Sequence, residues 1–78
     1  PMTINLVDSN TGKHFGEYLT EQAALRDVWS AIKRDGEGAV SKMRLEYEDL
    51  DGQGRVLAEG DGLAKRARLV NTQRSRLN

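Results

Sequence analysis

The sequence predicts an α+β fold of ββαββ(α) type: a four-stranded, mainly antiparallel sheet, one amphipathic helix packed on one face, and a short C-terminal helix. Three observations carry that prediction. Leu25, Val28, Trp29 and Ile32 recur at the i, i+3, i+4, i+7 spacing that lines one side of a helix. Met43, Leu45 and Tyr47 alternate with Lys42, Arg44, Glu46 and Glu48, the period-two pattern of a strand with one buried and one solvated face. On either side of the helix, extended stretches are joined by turn-forming residues, which reads as one hairpin before it and one after.

The elements follow in order. Thr3 to Asp8 reads as a strand with Ile4 and Leu6 on one face and Asn5 and Val7 on the other. Asp8 to Gly12 (DSNTG) is turn chemistry, because Asp and Asn bond their own backbone and glycine accepts a positive φ. Lys13 to Leu19 returns as a second strand, in which Gly16 signals a bulge or a close backbone approach. The helix then runs from an N-cap at Thr20 to a stop at Gly36, with Glu21 favourable at its start and Lys33 and Arg34 at its end. Its only tryptophan, Trp29, is assigned to the centre of the core rather than to a ligand platform. Residues 35–39 read as a loop and 40–49 as the third strand. A two-glycine turn over 50–54 leads to a fourth strand over 55–59. Gly60-Asp61-Gly62 is a second break with Asp61 as N-cap, followed by a short helix bearing Leu63, Ala64, Ala67 and Val70 on its apolar side. Residues 1–70 are expected to form a single domain and 71–78 a flexible tail.

Composition excludes several functions. The chain has 78 residues, enough for one small core. With no Cys there is no disulfide framework, thiolate zinc site or cysteine nucleophile. No apolar run approaches the ~18 residues a membrane helix needs, so no membrane association is expected and a cytoplasmic location is. Gly52-Gln53-Gly54 and Gly60-Asp61-Gly62 lack the spacing of phosphate-binding loops, and no cofactor is expected. Asp49-Leu50-Asp51-Gly52 has the opening of a calcium loop but not its later ligands, so no metal site is assigned. His14, the only His, stands beside a turn without a neighbouring carboxylate and reads as a surface residue.

Charge is balanced in number but not in position. Residues 1–60 hold seven Lys or Arg against eleven Asp or Glu, and residues 61–78 hold five against Asp61 alone. Lys65, Arg66, Arg68, Arg74 and Arg76 therefore form the candidate binding residues, able to track phosphates or an acidic partner. The aromatic interleaving that stacks bases is missing, since Phe15, Tyr18, Trp29 and Tyr47 lie elsewhere.

Two resemblances bear on function. The runs DSNTGKHFGEYLTEQAALRDVWSAI and MRLEYEDLDGQGRVLAEGDGLAKRA resemble small uncharacterised bacterial proteins with a hairpin–helix–hairpin layout. That likeness, over about residues 5–68, implies a fold and no activity; the size and layout also resemble small phage and mobile-element proteins, including inhibitors of host defence. Pro1, the strand after it, the helix and Arg44 are similar in order to the tautomerase superfamily. That resemblance implies Pro1 as general base and Arg44 as a carboxylate-binding residue. The sequence departs from it in the second strand, which sets a hairpin where a parallel pair needs a crossover. Pro1 is otherwise read as a cloning remnant or the product of initiator-Met removal.

The expected role is thus a non-enzymatic binding module that meets a protein partner, or itself as a homodimer, through a sheet edge, the open sheet face or the basic C-terminal end. Nucleic-acid association through the basic segment and tautomerase-like catalysis are the alternatives.

Overall fold

In a computed structural model the backbone is described over residues 3–77 and the side chains over 3–72. Strand β1 (Thr3–Asp8) and strand β2 (His14–Tyr18) precede helix α1 (Glu21–Asp35). A 3-10 turn over Glu37–Val40 leads to strands β3 (Met43–Glu48) and β4 (Gly54–Glu59), and helix α2 (Gly60–Leu77) closes the chain. The strands form one sheet in the order β2-β1-β3-β4, with every pair antiparallel. The expected four-stranded antiparallel α+β arrangement is the observed one.

Local chemistry accounts for the connections. In the first turn, Asp8 Oδ1 accepts the N–H groups of Asn10 at 2.7 Å and Thr11 at 3.0 Å. Those bonds, with Thr11 the larger influence, hold the Asp8 carboxyl below its ordinary pKa. Ser9 N–H donates to Lys42 O at 2.8 Å and ties this turn to the entry of β3. At the start of α1, Thr20 accepts the Ala23 N–H at 3.1 Å, the cap expected of it. Gly36 ends the helix at φ 87°, its N–H bonded to Ile32 O at 2.7 Å.

Both helices lie on the same side of the sheet. α1 packs along α2 and against β1 and β2, while α2 packs against β3 and β4. Ile4 and Leu6 from β1, Leu45 from β3, Ala24, Leu25, Val28 and Ile32 from α1, Val40, and Leu63, Ala64 and Ala67 from α2 form one buried cluster. The molecule is only 16 Å through its thinnest dimension. That depth accommodates one helix layer on one sheet layer and no third.

Three features differ from the sequence expectation. Trp29 is half-buried at the margin of the core, not at its centre. The interior beside the sheet is shared by two helices, and small residues, Ala24, Ala64 and Ala67, fill it with the leucines, leaving the large indole on the flank. Residues 37–40 wind into a 3-10 turn that buries Val40, where a loop is expected. Finally, α2 is not short: it begins at Gly60, places Asp61 inside its first turn, and continues to Leu77 through most of the expected tail. Once Leu63, Ala64 and Ala67 are packed, extending a nucleated helix costs little, and no Gly or Pro after Gly62 stops it. The corner from β4 into α2 is made at Gly60, whose φ of 57° is a left-handed conformation that suits glycine.

Candidate functional site

The face of the sheet away from the helices carries a buried side-chain acceptor, the Asn5 Oδ1, among charged neighbours. Register defines it. Ile4 and Leu6 enter the core, so Thr3, Asn5 and Val7 face the opposite way. Across β1, Asn5 stands opposite Glu17 of β2 and opposite Glu46 of β3, while Val7 stands opposite His14 and Arg44. On β4, Val56 lies opposite Glu46 and Glu59 opposite Arg44.

At the centre of this face, Asn5 is only 5% exposed and Val7 only 2%, although no helix covers them. Both sit on a central strand, flanked on each side by longer side chains. The Asn5 Oδ1 is sealed from solvent and has no hydrogen-bond partner among the described residues. Beside it, Arg44 Nε lies 2.7 Å from Glu46 Oε2 in a half-buried ion pair along one strand. Apolar groups stand toward the two outer strands: Phe15 on β2 is 47% exposed and Val56 on β4 is 50% exposed, and neither belongs to the core.

Both sheet edges are irregular. In the β1–β2 pair the register shifts after Leu6, so that His14 and Phe15 together span the single position Val7. In the β3–β4 pair it shifts after Leu45, leaving Leu57 as the extra residue. Bulges of this kind bend an edge strand away from regular pairing with another chain. Gly16 in β2 has a second role. A Cβ there would lie 2.7 Å from the Tyr18 hydroxyl, so the absent side chain leaves room for the phenol to lie over the strand. The phenol reaches α1 and donates to Asp27 Oδ2 at 2.8 Å. Desolvation first, then the bond to Asp27 and its negative charge, push the Tyr18 hydroxyl up to about 12.

The residues singled out in the sequence are scattered. On α2, Arg66 Nη2 lies 2.5 Å from Glu21 Oε2 on α1, and Arg68 is ion-paired with Glu37. Two of the three described cations of the basic segment therefore neutralise carboxylates at the start of α1 and in the 3-10 turn. Lys65 is exposed on the same helix, and the side chains of Arg74 and Arg76 lie outside the described residues. Pro1 is also outside them. Arg44 sits on the open face, held by Glu46. The strands β1 and β3, which the tautomerase likeness would set parallel, are antiparallel neighbours, and that likeness gains no support from the fold. Asp49 is occupied in its own turn, where Oδ1 accepts the N–H groups of Asp51 and Gln53 at 3.0 Å each. Among the described residues, no group of three or more acidic or His side chains could hold a metal ion, and no helix is long and apolar enough to cross a membrane.

Comparison with protein-family models, with curated proteins and with solved structures finds no match for the chain.

Proposed function

We propose that this chain is a small protein-binding module whose partner docks on the open face of the sheet. The observation that carries this reading is the Asn5 side chain, buried at the centre of the sheet face away from the helices with an acceptor that no described residue satisfies. An unpaired buried acceptor is a cost to the isolated fold, and a docked donor removes it. The half-exposed Phe15 and Val56 add apolar area to the same face. Of the other two candidate surfaces, the edges carry bulges, and the basic helix spends Arg66 and Arg68 within the chain.

Site-specific photo-crosslinkers at Val56 on the open face, at Lys65 on α2 and at Leu50 on the β3–β4 turn test the reading in the native host. Adducts from Val56 and not from Lys65 or Leu50 are expected. Adducts from Lys65 alone would transfer the function to the basic helix.

A further inference from the structure

The composition of the open face specifies what kind of partner it fits. Register places Glu17, Glu46, Glu48 and Glu59 on it against a single guanidinium, Arg44. The face is thus strongly acidic although the whole chain is neutral. Its central orphan, the Asn5 Oδ1, is likewise an acceptor and sits between Glu17 and Glu46. Arg44 offsets only one of the four carboxylates, Glu46, which it engages at 2.7 Å, and so three remain unbalanced. Carboxylates and an unsatisfied amide oxygen together call for several N–H donors carrying positive charge.

We infer that the occupant of this face is a cationic segment of another protein, a stretch in which Arg or Lys alternates with apolar residues. Its charged heads meet the carboxylates of Glu17, Glu46 and Glu48, and by drawing the flanking Glu17 and Glu46 side chains aside they let one N–H donor reach the Asn5 Oδ1, which is sealed in the free chain. Apolar side chains and the aliphatic stems of the cations lie along Val56 and Phe15, whose ring also attracts a cation. A second copy of this chain fits poorly. Two-fold pairing of the face would stack one acidic surface on another, and like charges in register oppose association. This inference deepens the binding-module reading above and rests on it.

The test is a titration of the full isotope-labelled chain, followed by amide NMR shifts. The probes are a heptapeptide alternating arginine with valine, and its counterpart with glutamate in place of arginine. The cationic peptide is expected to give saturable shifts centred on Asn5, Glu17, Arg44, Glu46 and Val56. Affinity should fall about tenfold or more between 50 and 500 mM salt. Glu17→Gln at an exposed position and Glu46→Gln at the half-buried position beside Arg44 should each weaken binding about threefold or more, and Asn5→Val about fivefold or more. Occupation of the same face by the glutamate peptide, or by a second copy of the chain, would overturn the cationic partner and leave the binding-module reading standing. Absence of any cationic-peptide shifts would likewise overturn the cationic partner alone, and shifts confined to α1, α2 or the 49–53 turn would overturn both.

Discussion

Asn5 and Tyr18 show how two polar side chains of one small sheet meet opposite ends. Tyr18 finds a partner: its hydroxyl donates to Asp27 and ties the edge strand β2 to α1. Because its pKa is raised from 10.0 to about 12, folding favours the protonated phenol. The stability it contributes is therefore complete below pH 10 and is lost as pH rises from 10 toward 12. We expect Tyr18→Phe to lower stability by about 1 kcal/mol at pH 7. A urea titration repeated at alkaline pH should show the wild-type protein converging on the variant above pH 10. The Asn5 Oδ1 has no such partner among the described residues. Its orientation was legible, since Ile4 and Leu6 alternate with Asn5 and Val7. Its burial was not, because that depends on β1 lying between β2 and β3, a long-range pairing that no local pattern specifies. Trp29 fails the other way. The stripe that contains it was legible, yet a helical stripe does not say which of its residues faces a second helix, and the arrival of α2 moved the core toward Ala24, Leu25 and Val28.

At the scale of elements, the two helices explain the uneven charge of the sequence. The acidic surplus of residues 1–60 and the basic surplus of residues 61–78 meet where Glu21 faces Arg66 and Glu37 faces Arg68. These pairs lie at the surface, so they orient α2 against α1 and the 3-10 turn more than they stabilise it. Replacing Glu21 and Glu37 together with Gln should lower stability by no more than about 1 kcal/mol. The same change releases two arginines, and retention on heparin should rise, which a salt gradient measures. Helix starts and stops were readable from Thr20 and Gly36 because caps are local chemistry. The end of α2 was not. Residues 71–77 carry little apolar signal, and their helicity follows from the packed turn before them.

At the scale of the whole molecule, the decisive fact is that two helices cover one sheet face and, among the described residues, no element covers the other. Two helices share the inner face, and the 16 Å depth leaves the outer one open. The hairpin–helix–hairpin order made that two-layer plan legible in the sequence. The candidate surface on it was legible only in outline, because Glu17, Glu46 and Glu59 come from three strands and meet only in the strand order β2-β1-β3-β4. The basic residues, grouped within one segment, were the more conspicuous signal, and folding pairs two of them with the chain's own carboxylates at the surface.

The measurement that bears most directly on this account is the denaturant stability of Asn5→Val. If Asn5 is kept for a partner, the isolated chain tolerates an unsatisfied acceptor that a β-branched apolar side chain would remove. The variant should then be more stable than the wild type by about 1 to 2 kcal/mol. A loss of about 1 kcal/mol or more would show that Asn5 serves the fold itself, and the case for the open face as the binding surface would go with it.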